Sequence, residues 1–289
     1  MTSKLFLSTR RGEDKLYAWI RDHERGEPYR QRFESMWLEY CPHAPKGFRN
    51  KLQIEFHQRW WEMYLTIGLL HLALPVTCSP ADGGPDVSVD LDNQRVWFEA
   101  VAPRAGTSND RVPELVIKDT EDFPRRQLLL RLAQAITSKR DKFVAYLDSQ
   151  TVSPRDACVI ALSACDLKQF GPLLDWPHPA PLSILAGAGN LAIPLDRSCS
   201  PYSTRQDAIL RNSGNPVDTV LFERDDFRII SAVLYSSPDP TNAPISPEAT
   251  FSLFLNPRAY VEVPPGIRRM VVTWYEEKKT DTETVWMKI

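Results

Sequence analysis

The chain has 289 residues, 43% of them hydrophobic and 25% charged, which is enough for one large core or two small ones and excludes a disordered or collagen-like polypeptide. Its net charge of −2 carries no global basic signature, so any contact with nucleic acid has to come from a local patch. Five cysteines (Cys41, Cys78, Cys158, Cys165 and Cys199) are scattered and form no CxxC pair. This predicts reduced thiols in a cytoplasmic protein and no zinc site. The N-terminal MTSKLFLSTRRGEDK has no apolar stretch of the signal-peptide kind. The longest apolar run, Leu65 to Val76, is broken by Thr66, His71 and Pro75 and is too short to span a membrane.

Residues 1–10 read as a short arm or strand. Asp14 to Glu24 and Arg30 to Tyr40 have helical periodicity, with Phe33, Met36 and Trp37 recurring on one side of the second; core packing is the expected role of these aromatics. Cys41-Pro42 ends the pattern. A long helix is predicted from Asn50, a suitable N-cap, to Leu72. It is apolar nearly all round, as a helix between layers would be. Glu62 stands in it, and an acid in such surroundings needs a partner: either a structural pair such as Arg59, or a metal.

Pro75 to Gly84 is a Pro-, Ser- and Gly-rich loop leading into GGPDVSVDLDNQRVWFEAVA, Gly83 to Ala102. Two alternating runs, Asp86 to Asp90 and Arg95 to Ala100, flank Asp92-Asn93, two residue types that tolerate the left-handed turn of a tight hairpin. The turn sets the register. Val89 faces Val96 and Val87 faces Phe98 on an apolar face; Asp90 meets Arg95, Ser88 meets Trp97 and Asp86 meets Glu99 on the other. A slip by one residue would bury the charges. Opposed Cβ atoms lie ~5 Å apart and like charges there repel, a penalty that a divalent cation removes. On spacing alone, two solvated acids at a strand edge and a cation-binding pair are equally good readings.

Ala102 to Asp122 reads as a polar loop, a candidate lid over a substrate. Phe123 to Asp148 has the pattern of a second long helix, apolar through Leu128, Leu129, Leu130, Leu132, Ala135, Ile136, Phe143 and Leu147. Its other side is basic: Arg125, Arg126, Arg131, Lys139, Arg140 and Lys142. Such a face is usually solvated, but it can also hold a phosphate backbone. Ala157 to Ser163 reads as a buried strand, and residues 172–194 as a proline-rich excursion. Beyond Leu195 the pattern turns to strands: 219–222, 229–235, 251–255, 270–275 and 285–289, the last two around a charged loop, Glu276 to Glu283. The order of helix, strand, helix and strand predicts an α/β fold.

Gly84-Pro85-Asp86, a short hairpin and then Glu99-Ala100-Val101 resemble the motif of the PD-(D/E)XK, or restriction-endonuclease-like, nuclease superfamily. The likeness covers about residues 50 to 165. It implies a restriction-endonuclease-like central mixed sheet flanked by helices, within a unit spanning residues 50–289 that ends in a β-rich C-terminal extension and follows a helical N-terminal extension, residues 1–49. It also implies Mg2+ or Mn2+ held by Asp86, Glu99 and the Ala100 carbonyl, with Glu62 of the preceding helix near a second ion. The substrate would be nucleic acid, with DNA preferred, and the reaction phosphodiester hydrolysis in restriction, defence or repair. Val101 departs from the pattern, since the superfamily has a lysine there. Families of this type relocate that lysine, and Lys139 is the first candidate to replace it, with Arg131 next. Arg125, Arg126, Arg131 and Arg140 are the expected phosphate contacts. The alternative is a catalytically degenerate relative that binds nucleic acid or a protein partner; a third is a structural subunit, and either a homodimer or a partner protein is compatible with the sequence. The acid triad favours catalysis, because a binding-only surface gains nothing from carboxylates that repel phosphate.

Overall fold

The computed structural model describes residues 4–78, 83–113, 123–170, 175–176, 178–193, 195, 202–278 and 284–289. The apolar face of the hairpin and the unbroken apolar run from Ala157 to Leu162 explain its centre. Strand β2 (Val87–Leu91) pairs antiparallel with β3 (Gln94–Val101) in the expected register, Val87 to Phe98 and Val89 to Val96. Asp92 and Asn93 supply the turn with φ of 54° and 61°, the left-handed conformation of a type I′ turn. Strand β4 (Ala157–Ser163) runs parallel to β3, a pairing that requires a crossover, and helix α5 (Arg125–Asp148) lies on the connection between them.

Strand β4 is buried along its whole length, and its two faces differ in size. Ala157, Val159 and Ala161 face a core built on helix α4 (Phe56–His71) with Trp60, Trp61 and Tyr64, whereas Cys158, Ile160 and Leu162 face the leucines of α5. Small side chains therefore meet the bulky aromatic helix, and larger ones meet the leucine helix, as interdigitation at crystal-like density demands. The indole N–H of Trp61 donates to the Ala161 carbonyl at 2.8 Å.

The sheet has eight strands among the described residues. A short β1 (Val76–Cys78) edges β2; beyond β4 come β9 (Ala232–Ser236), β10 (Ser252–Leu255), β11 (Val272–Lys278) and β12 (Thr284–Lys288). Pairings β3–β4, β4–β9 and β10–β11 are parallel and the rest antiparallel. The molecule is thus a mixed α/β protein with helices on both faces of a large central sheet. The N-terminal helices α1 (Lys15–Asp22) and α2 (Glu27–Tyr40) join the α4 core through Tyr17, Ile20, Phe33 and Trp37. Strands β5 (Ala188–Ala192) with β6 (Tyr202–Arg205), and β7 (Ala208–Leu210) with β8 (Pro216–Asp218), form two small satellite sheets.

Several expectations need correction. The loop expected over 75–84 holds strand β1, and residues 276–278 of the charged loop expected over 276–283 belong to β11. The helix predicted over 50–72 is two helices, α3 (Phe48–Leu52) and α4, and Asn50 lies inside α3 rather than at a cap. Glu55 breaks the path at φ −117°, ψ 51°. The Gln53 carbonyl accepts from Asp14 N at 2.8 Å, and the Gln53 amide donates to the Ser8 carbonyl and to Glu13, so the N-terminal segment claims groups that a continuous helix would use. The strand predicted over 219–222 is a 3-10 turn from Leu221 to Glu223, with Leu221 and Phe222 buried in the α5 core. Hydrophobic content, not extended geometry, is what that segment contributes. The strand expected over 229–235 begins only at Ala232. Of the candidate lid, residues 114–122 lie outside the described residues.

Candidate functional site: an acidic and basic cleft between two helix layers

Helices α4 and α5 approach the sheet from opposite faces, and both reach it where β3 ends. A cleft of about 430 Å3 opens there, lined by four carboxylates (Glu55, Glu62, Asp86, Glu99), five cationic side chains (Arg59, Arg104, Arg131, Lys139, Lys142), and Gln58 and Ala102. The lining thus mixes both signs, with a total charge positive by one, a combination suited to an anion and a cation together.

Asp86 is half-buried immediately before β2, and its Oδ2 accepts the backbone N–H of Ala100 at 2.8 Å. Burial, then the charges of Glu62 and Glu99, push its carboxyl from 3.8 up to about 7, against the pull of Lys139 and the Ala100 N–H. Negative charge is therefore in excess at this point of the cleft.

Glu99 is only 2% exposed and turns towards α5. Its Oε1 accepts from Lys139 Nζ at 2.6 Å and from Lys142 Nζ at 2.9 Å, while the Tyr146 hydroxyl donates to Oε2 at 3.4 Å. Residues 139, 142 and 146 form one stripe at helical spacing. Burial of the Lys142 ammonium opposes its charge, yet Glu99 outweighs this and raises its pKa. Burial, with Glu99 next, pushes the Tyr146 phenol up to about 12.

Glu62 on α4 is paired with Arg59, whose Nη1 stands 2.7 and 2.8 Å from its two oxygens; the other side of the guanidinium holds Glu55 Oε2 at 2.6 and 3.0 Å. Gln58 ties this group to the sheet. Its amide donates to Glu62 Oε1 (3.0 Å) and to the Ala100 carbonyl (3.2 Å), and its oxygen accepts from Ala102 N (2.9 Å).

Glu62, Asp86, Glu99 and Lys139 thus share one cleft, and Val101 packs at the edge of the α5 core. The oxygen donors expected for a metal (Asp86, Glu99, Glu62 and the Ala100 carbonyl) are hard ligands of the type Mg2+ or Mn2+ takes, and the excess negative charge at Asp86 suits a cation. Among the described residues, however, no three His, Cys, Asp or Glu side chains stand close enough to hold one ion. In this arrangement Glu62 is matched by Arg59 and Glu99 by its lysines.

The four arginines expected to hold phosphate divide. Arg131 lines the cleft, with Nε donating to the Arg104 carbonyl at 2.7 Å. The other three lie outside the cleft lining. Arg125 bonds the Trp176 carbonyl and Ser183, Arg126 bonds Asp110, the Leu210 carbonyl and Asn212, and Arg140 pairs with Asp226 and lies over the Phe227 ring. Their charges fasten α5 to its neighbours instead of forming one basic face. Sequence reasoning missed the site roles of Gln58, Lys142, Tyr146 and Arg104; the spacing of Gln58 to Glu62, and of Lys139 to Lys142 and Tyr146, was the available signal.

Four cysteines, Cys41, Cys78, Cys158 and Cys165, are free thiols, and no helix among the described residues is long and apolar enough to cross a membrane. Comparison with protein-family models, with curated proteins and with solved structures gives no match.

Proposed function

We propose that the cleft is the active site of a metal-dependent phosphodiesterase of the PD-(D/E)XK kind, acting on nucleic acid. One observation carries this reading: Lys139 Nζ lies 2.6 Å from Glu99 Oε1 in the same cleft as Asp86 and Glu62. An ammonium supplied from α5 thus reaches the acid whose own strand has Val101 at the motif lysine's place. The mixed sheet with helices on both faces also agrees with the restriction-endonuclease-like architecture that the motif implies.

Asp86, Glu99 and the Ala100 carbonyl would hold Mg2+ or Mn2+, with Glu62 beside them. When bound, the ion supplies Lewis-acid stabilisation of charge on the phosphoryl oxygens and a nucleophile at neutral pH. Lys139 places a positive charge where the attacked phosphate accumulates negative charge. Lys142, more exposed than Lys139, and Arg131 offer N–H donors to the phosphates on either side. Glu99 orients both lysines, and Gln58 holds the Ala100 carbonyl in place.

The test is cleavage of single- and double-stranded DNA and RNA with Mg2+ or Mn2+, alongside thermal melting. The ion should raise the melting temperature, as any ligand specific to the native state does. Asp86→Ala should abolish both that rise and cleavage; Lys139→Ala should slow cleavage and leave the rise intact. Metal binding without cleavage of any polymer would favour the degenerate relative, for which Val101 speaks, and absence of both would leave the acids as a structural cluster.

A further inference from the structure

Arg59 occupies both oxygens of Glu62 through a single terminal nitrogen, at 2.7 and 2.8 Å. A divalent cation and a guanidinium compete for such oxygens, since each needs the same lone pairs. The exposures of the three side chains grade outwards, 7% for Glu62, 19% for Arg59 and 43% for Glu55. Arg59 is therefore tethered at the mouth of the cleft by Glu55 and reaches inward to Glu62. Losing the inner partner leaves the outer one, at Nε and Nη2, and frees the Nη1 donors at the rim. Glu62 does not depend on Arg59 for its aim, because Gln58 also holds its Oε1 and is itself locked by Ala102 N and the Ala100 carbonyl.

We propose that Arg59 is an exchangeable counter-ion: it neutralises Glu62 until a divalent cation enters, then yields that carboxylate and, still held by Glu55, presents its freed N–H groups to a phosphate of the substrate. The inference rests on the reading of the cleft as a metal-dependent phosphodiesterase site. It adds a substrate-contacting role to a residue that sequence alone offers only as a structural pair.

The test is calorimetric titration with Mn2+, and thermal melting with and without it, on the full chain as wild type, Arg59→Met and Arg59→Lys. Arg59→Met should bind Mn2+ about tenfold more tightly or better, the scale of a lost charge-assisted hydrogen bond, with Arg59→Lys between it and the wild type. Without metal Arg59→Met should melt below the wild type, and saturating Mn2+ should close the gap. Its KM for an oligonucleotide at saturating Mn2+ should rise about tenfold, for the same reason. Mn2+ binding no tighter in Arg59→Met, or a melting gap that Mn2+ leaves unchanged, would overturn the exchange, since a purely structural pair behaves that way. If Arg59→Met does not fold, Arg59→Lys against wild type gives the same comparison. Exchange seen without any cleavage would end the nuclease reading alone, whereas no Mn2+ binding by any of the three proteins would end both.

Discussion

Asp86→Asn should stabilise the metal-free protein at neutral pH. The carboxylate shares the cleft with Glu62 and Glu99, and burial with those two charges raises it from 3.8 to about 7. The folded state therefore keeps this proton to higher pH than the unfolded chain does. Stability falls as pH rises from about 4 to about 7, and the full cost is present above that. At about 1.4 kcal/mol per pH unit, the displacement makes the charged form cost at most about 4 kcal/mol at pH 8. With an unfolding entropy of about 2 cal/mol/K per residue, this is roughly 7 °C of melting temperature for a chain of this length. Asparagine has nearly the same shape, and its oxygen can still accept the Ala100 N–H that Asp86 accepts at 2.8 Å. The assay is thermal melting in chelator across pH 4 to 8. The variant's advantage should be near zero at pH 4 and grow to its maximum at pH 8. With Mg2+ the wild type should recover much of the difference and the variant should not. A variant less stable than the wild type at pH 8 in chelator would refute the charge argument. So would an advantage of equal size at pH 4 and pH 8.

Lys139→Met and Lys142→Met should each be mild in metal-free melting, because one ammonium remains on Glu99; the double variant leaves a carboxylate that is 2% exposed without either lysine. It should lose about 3 to 5 kcal/mol in denaturant unfolding, and equal effects of single and double variants would count against the shared-ion arrangement. Gly68→Ala tests the packing of α4, where an added Cβ would stand 2.4 Å from Phe251 Cζ. Overpacking of this kind costs about 1 to 3 kcal/mol, read as a lower midpoint in urea, and an unchanged midpoint would show that Phe251 gives way.

Some of the site is legible in the chain because its causes are local. Asp92-Asn93 set the hairpin turn, and the period of two then placed Val87, Val89, Val96 and Phe98 on one face. Glu99 had to point to the other. The unbroken apolar run from Ala157 to Leu162, bounded by Pro154 and by polar residues, told of a buried strand, because a strand covered on both faces needs apolar side chains at every position. Lys139 was within reach of inference because one helix follows the hairpin and carries many basic residues.

Register, periodicity and the kinds of charge available are therefore legible from the chain alone, all consequences of backbone geometry over a few residues. Tertiary structure decided where those charges went. Arg125, Arg126 and Arg140 look like Arg131 in the sequence, yet of these four only Arg131 lines the cleft, because Ser183, Asn212 and Asp226 come from segments far along the chain. The break between α3 and α4 has no proline or glycine to announce it; it follows from Asp14, Ser8 and Glu13 drawing on Gln53. The identity of Glu62's partner was open between an arginine and a metal, and the choice of Arg59 goes with Glu55 holding the guanidinium from outside and Gln58 tying Glu62 to the end of β3. Long-range packing selects among charges that local pattern leaves equivalent, since a Coulombic pair is defined by distance in space and not by separation in the chain.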